Sequence, residues 1–134
     1  MVHCAKGQNQ TAQIVSLAQI LLDPYFRTIE GFEVLVMKDW VYFGHPFEER
    51  MGHGKNYFYC STHNFSPKGQ RNEKDERISP LFIQFLDCVI QLLHQFPAAF
   101  EFNEKFLLDL AYNSYTCQYG TFLFNSYKVK FYLS

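Results

Sequence analysis

The chain has 134 residues, room for one domain and no more. A hydrophobic content of 48% argues against wholesale disorder, and a formal net charge of -1 argues against a generic nucleic-acid or polybasic membrane binder. Aromatic residues reach 19%, with 15 phenylalanines; this is high for a self-sufficient domain of this size and predicts packing against something outside the chain.

The first segment is a polar loop, Val-His-Cys-Ala-Lys-Gly-Gln-Asn-Gln-Thr (2–11). Residues 11–22 then read as a helix. Ile14, Leu17, Ala18 and Leu21 form one stripe, widened by Val15, Ile20 and Leu22, so the helix is expected to be largely buried. Asp23-Pro24 stops it, because proline disfavours a helical residue before it. A second helix is predicted over 29–43, with Phe32, Leu35, Val36, Trp40 and Phe43 on one face and Gly44 and Pro46 ending it. Residues 48–78 show no helical period and read as a long surface loop. A third helix follows, with Ser79 as N-cap, Pro80 at the first helical position and Pro97 closing it. Its stripe is Phe82, Phe85, Leu86, Val89, Leu92, Leu93 and Phe96. Asn103 caps a fourth helix carrying Phe106, Leu107, Leu110 and Ala111, with Gly120 at its end and a short β-prone tail over 125–134. No run is apolar for long enough to cross a bilayer, and no internal repeat is present.

The four cysteines are Cys4, Cys60, Cys88 and Cys117. No signal peptide precedes the polar loop, so reduced cytosolic thiols are expected rather than two disulfides. Cys60 and His63, with His53 nearby, make three potential metal ligands without the fourth a zinc site needs, so no metal and no cofactor are expected. Cys88 reads as a small core residue and Asp87 as exposed. His45 reads as a structural hydrogen-bonding residue. Phe-Glu-Phe-Asn-Glu (100–104) reads as a packing strand-to-helix junction, and Arg27 with Glu30 as a buried pair near the first helix.

The chemistry concentrates at Cys4. A cysteine, a glycine-containing turn and then a helix place a thiol at a helix N-terminus, where free N–H groups and the dipole favour a thiolate and bound anions. Attack on a phosphate ester also needs an arginine forked onto the phosphate oxygens and an acid for the leaving oxygen. Cysteine phosphatases place that arginine six positions after the nucleophile; here the position holds Gln10. Taken alone, Cys4 is either a degenerate nucleophile or a plain buried thiol.

Longer runs bear on that choice. They are Thr-Ala-Gln (11–13), Ser-Leu-Ala-Gln (16–19), Leu-Leu-Asp-Pro-Tyr-Phe-Arg-Thr-Ile-Glu-Gly-Phe (21–32) and Phe-Gly-His (43–45). Gln-Phe-Leu-Asp-Cys-Val (84–89), Gln-Phe-Pro (95–97), Phe-Glu-Phe-Asn-Glu (100–104) and Gly-Thr-Phe-Leu (120–123) complete the series. Through them the chain resembles the myotubularin family of phosphoinositide phosphatases, whose active loop reads Cys-Ser-Asp-Gly-Trp-Asp-Arg-Thr. The resemblance implies that Cys4 matches the nucleophile and Gly7 the turn glycine. Ala5, Lys6, Gln8, Asn9 and Gln10 depart from the motif, with Asn9 at the position of the proposed general acid and Gln10 at that of the arginine.

The resemblance therefore implies a pseudophosphatase acting by protein interaction. The alternatives are an active phosphatidylinositol 3-phosphate and 3,5-bisphosphate 3-phosphatase using a Cys4 thiolate, and a fragment without an independent role. It further implies an α/β cysteine-phosphatase fold for the parent domain, of which this chain is the mostly α-helical C-terminal half, about four helices. Expected partners are an active family member or the remaining half of the domain, on phosphoinositide membranes in the cytoplasm and at endosomes, and no nucleic acid. Residues 56–70 and the tail after 125 depart from the family pattern. They lead to the expectation of an incomplete or intron-retaining gene model, which a continuous spliced message encoding both features would refute.

Overall fold

In a computed structural model the described residues are Val2, 9–51 and 79–116. Among them every regular element is a helix. We number the α-helices α1 (Gln10–Leu22), α2 (Ile29–Val36), α3 (Phe47–Met51), α4 (Leu81–Gln95) and α5 (Glu104–Thr116). Short 3-10 turns at Pro24–Arg27 and Pro97–Ala99 connect them, and α2 runs directly into a π-helical segment, Met37–Tyr42.

The α1–α2 corner is built from local hydrogen bonds. Asp23 is extended, as a residue before proline must be, and its carboxylate accepts the Tyr25 N–H at 2.9 Å. Thr28 caps α2 by accepting the Gly31 N–H at 3.0 Å while its hydroxyl donates to the Tyr25 carbonyl at 2.7 Å. A distant residue completes the cap: the Glu101 carboxylate accepts the Ile29 N–H at 2.8 Å, placing a negative charge at the helix N-terminus. Glu101 N–H in turn donates to the Arg27 carbonyl at 3.0 Å, so the segment before α5 is stitched to the corner by two bonds.

The core is a chain of aromatic rings. Phe106 meets Phe102 at 5.4 Å, Phe102 meets Phe32 at 4.8 Å, and Phe32 stacks on Phe85 at 6.1 Å. Phe85 and Phe82 each lie 5.1 Å from Trp40, and Phe82 meets Phe47 at 5.2 Å. Offset and edge-on geometries of this kind add to the area the rings bury. His45 closes the chain between Trp40 at 4.9 Å and Phe47 at 4.8 Å, with its N–H on the Trp40 carbonyl, in keeping with a structural role.

Several expectations are corrected. Only part of the Ile14, Leu17, Ala18 and Leu21 stripe of α1 meets the core: Leu17 packs against it and Ala18 is half-buried, whereas Ile14 is 50%, Leu21 59% and Leu22 84% exposed, and the fully buried residues are Ala12, Ser16 and Ile20. Phe43 and Phe96, assigned to core stripes, are mostly exposed. Phe43 follows the π-helical segment, whose wider turn breaks the α-helical spacing used to place it. At α4 it is Pro80, not Ser79, that holds the cap position, and the helix starts at Leu81; Ser79 contributes its carbonyl to the Leu81 N–H. The predicted loop begins with a helix, since Phe47–Met51 is α3 and buries Phe47 and Met51; residues 52–78 lie outside the described set, as do Gly120 and the tail. Glu30 is exposed and no ion pair joins it to Arg27 among the described residues; the Arg27 Nε is buried without a hydrogen-bond partner. Residues 100–103 form a junction without a strand, capped as expected by Asn103 Oδ1 on the Phe106 N–H at 3.1 Å. Asp87 is exposed, and Cys88 is partly buried at the margin of the core.

Candidate functional site

The candidate loop leads into α1, so the placement of α1 is what the fold contributes to the site. Cys4, Ala5, Lys6, Gly7 and Gln8 lie outside the described residues; Asn9 and Gln10 are within them. Asn9 is the cap residue of α1. Its carbonyl accepts the Gln13 N–H at 3.2 Å, but its side chain makes no capping bond. Gln10 is the first helical residue and is exposed. The first turn, Gln10 to Gln13, carries no charged side chain. Among the described residues this end of α1 thus offers an anion backbone N–H groups and neutral amides, with no cationic fork.

Polar side chains pin α1 on two sides. Gln13 Nε2 donates to the Leu81 carbonyl and to Gln84 Oε1, both at 3.0 Å, tying α1 to the start of α4. One turn on, Trp40 Nε1–H donates to Ser16 Oγ at 3.1 Å, and Ser16 Oγ–H donates to Asp39 Oδ2 at 3.3 Å. Gln19 Nε2 donates to the same Asp39 oxygen at 2.5 Å. Lys38 Nζ donates to Gln19 Oε1 and stands 3.8 Å from Asp39 Oδ1, so the buried carboxylate is both paired and hydrogen-bonded. The π turn makes this possible. It directs Asp39, Trp40 and Val41, three consecutive residues, into the interior, and the first two of them converge on Ser16.

Lys38 does not stand in for the absent arginine. Its contact, Gln19, lies nine residues beyond Gln10, about 13 Å along a helix rising 1.5 Å per residue. Its ammonium also lies 5.1 Å from the centroid of the Phe26 ring. Among the described residues no group of three or more His, Cys, Asp or Glu is placed to hold a metal ion. Cys60, His63 and His53 fall outside them.

Sequence reasoning overlooked Ser16, Gln19 and Asp39. A signal was present: Gln13, Ser16 and Gln19 recur every three residues, which runs a polar line along the helix among apolar neighbours.

The model of the myotubularin-like phosphatase domain matches residues 1–131. Myotubularin of Xenopus laevis is 49% identical over 125 residues, 93% of this chain and 18% of its own length. Phosphatidylinositol-3,5-bisphosphate 3-phosphatase MTMR4 of Xenopus laevis is 50% identical over 126 residues, 94% of this chain and 10% of its own length. Phosphatidylinositol-3,5-bisphosphate 3-phosphatase MTMR2 of Mus musculus is 49% identical over 126 residues, 94% of this chain and 17% of its own length. The chain thus spans less than a fifth of each of these relatives, and the family model covers nearly all of it: it belongs to the myotubularin family, as part of its phosphatase domain.

Proposed function

We propose that this phosphatase-domain segment has lost turnover and acts in phosphoinositide metabolism through protein contacts. The observation that carries the proposal is the pair Asn9 and Gln10 at the start of α1, two neutral amides where the chemistry calls for an acid and a cation. Loss of one preorganised donor costs about 10²- to 10³-fold in turnover and loss of a general acid about 10²- to 10⁴-fold. Together these bring hydrolysis close to background even with Cys4 in place. Two relatives bear names that give them a 3-phosphatase activity on phosphatidylinositol 3,5-bisphosphate. The substrate class assigned to the ancestral site is accordingly a 3-phosphoinositide, in a complete domain of the α/β cysteine-phosphatase type.

The exposed apolar face of α1 supports the interaction half of the proposal. Ile14, Leu21 and Leu22 lie largely in solvent, and on α5 so do Leu108, Tyr112 and Tyr115, spaced to share one side of the helix. The partner proposed is an active myotubularin-family chain or the remainder of a phosphatase domain, at cytoplasmic and endosomal membranes.

Retention of Cys4 and Gly7 favours a second reading, an active 3-phosphatase. Phosphate release from phosphatidylinositol 3-phosphate separates the two. The chain and its Cys4→Ser variant are expected to be indistinguishable, and a Lys6→Asp, Asn9→Asp, Gln10→Arg revertant serves as the comparison. Release by the unmodified chain that disappears in Cys4→Ser would refute the inactive reading.

A further inference from the structure

We infer that Arg27 is a docking residue: in the complete phosphatase domain its guanidinium receives a carboxylate from the part of that domain outside this chain. The inference rests on the reading that the remainder of the domain is a partner of this segment, and it holds whether or not the loop at Cys4 is active.

Arg27 sits in the 3-10 turn between α1 and α2, half-buried, with its Nε shielded from solvent. Its main chain is tied down, the carbonyl accepting the Glu101 N–H at 3.0 Å. Its guanidinium makes no hydrogen bond and no ion pair among the described residues. The acids of the corner are engaged elsewhere or turned away: the Asp23 carboxylate accepts the Tyr25 N–H, the Glu101 carboxylate accepts the Ile29 N–H, and Glu30 is exposed. Buried donors are nearly always paired, and a cation that has given up part of its water without gaining an anion is costly. The fork of the guanidinium fits a planar two-oxygen anion, Nε and one Nη each donating to one oxygen. The position of the turn bears on whose anion this is. α1 has 13 residues and sets the turn about 20 Å from the loop end at Asn9, too far for the phosphate of a substrate bound there. Leu22, Tyr25 and Ile29, close to Arg27 in the chain, are 84%, 43% and 40% exposed. An arginine with aromatic and apolar neighbours has the composition of a protein interface core. Relatives of which this chain spans less than a fifth carry the covering surface on the same polypeptide.

The test places the segment in a whole relative, myotubularin of Xenopus laevis with its matched segment exchanged for this chain, and follows thermal unfolding of that protein beside the chain alone. Arg27→Met keeps an unbranched apolar stem and removes the cation. It should lower the midpoint of the exchanged protein by about 5 °C or more. In the chain alone it should leave the midpoint unchanged or raise it, because there the charge has no partner to lose. Arg27→Lys, a cation without the fork, should give a partial loss in the exchanged protein, and Glu30→Gln should change neither midpoint. Equal midpoints for the exchanged protein and its Arg27→Met variant would overturn the inference alone, as would destabilisation of the isolated chain by Arg27→Met. Separate melting of the segment within the exchanged protein, or failure of that protein to fold, would overturn the partner reading as well. If Arg27→Met leaves the exchanged protein unaffected but abolishes binding of the chain to phosphatidylcholine vesicles containing phosphatidylserine, the anion is a lipid phosphate or carboxylate and the inference falls.

Discussion

Truncation of Trp40 to alanine is expected to cost about 4 kcal/mol, the usual range for deleting a buried aromatic ring being roughly 3–5 kcal/mol. Trp40 is fully buried and touches both halves of the core. Its ring lies 5.1 Å from Phe82 and from Phe85 and 4.9 Å from His45, and its N–H donates to Ser16 of α1. Small domains have only about 5–15 kcal/mol of net stability, so a loss of this size brings the unfolding midpoint close to ambient conditions. Trp40→Phe separates the two contributions. It keeps most ring contacts, removes the donor, and is expected to cost about 1–2 kcal/mol. Urea unfolding followed by far-ultraviolet circular dichroism measures both. A Trp40→Ala midpoint matching that of the wild type would show that the aromatic chain is not what holds the core.

Gly31→Ala is the second large effect. Gly31 lies in the first turn of α2, beneath the turn that leads into it. A Cβ there would stand 2.0 Å from the Tyr25 carbonyl oxygen, 2.7 Å from its carbon and 3.0 Å from Thr28 Oγ1. The first two are backbone atoms, which cannot rotate aside as a side-chain tip can. The Tyr25 carbonyl is also the acceptor for both the Thr28 hydroxyl and the Thr28 N–H. Displacing it would loosen the cap of α2 as well as the 3-10 turn. Overpacking of this type costs about 1–3 kcal/mol, and the upper end is expected because the cap is lost with it. Helix propensity alone would make the same substitution stabilising, by about 1 kcal/mol at an unconstrained helical site. The sign of the measured change therefore decides between the two. A stabilised Gly31→Ala variant would mean that the corner is looser than these distances imply.

Among the described residues four of the five α-helices were legible in order, because proline, glycine and the Asn103 cap mark their ends and the stripe of α4 is continuous; the short α3 was read as loop. The burial of α1 was legible only in part. Hydrophobic periodicity reports which residues share a side, not how deeply each is buried: Leu17 of the stripe meets the core, while the buried positions are Ala12, Ser16 and Ile20. Phe43 was misplaced for a related reason, since a π turn shifts the angular spacing without any mark in composition. The pairing of Arg27 with Glu30 relied on proximity in sequence. The carboxylate that reaches this corner is instead Glu101, on a segment that no local rule could have brought there. At the site, the sequence shows only that Asn9 and Gln10 are amides, whereas the hydrogen bonds that hold their helix depend on a long-range contact between residues 16 and 39.

The π-helical segment has a consequence for how this region tolerates changes in length. A π turn sits within an α-helix as a turn that holds one additional residue. In most helices a single-residue insertion rotates everything downstream by about 100° and scrambles the buried side. Here the additional residue is absorbed within Met37–Tyr42, where it keeps Asp39, Trp40 and Val41 directed inward together. Excising one residue from this stretch would restore ideal helical hydrogen bonding locally and yet put either the carboxylate or the indole out of reach of Ser16. The segment is therefore under a constraint of spacing as well as identity, and homologous chains should keep its residue count.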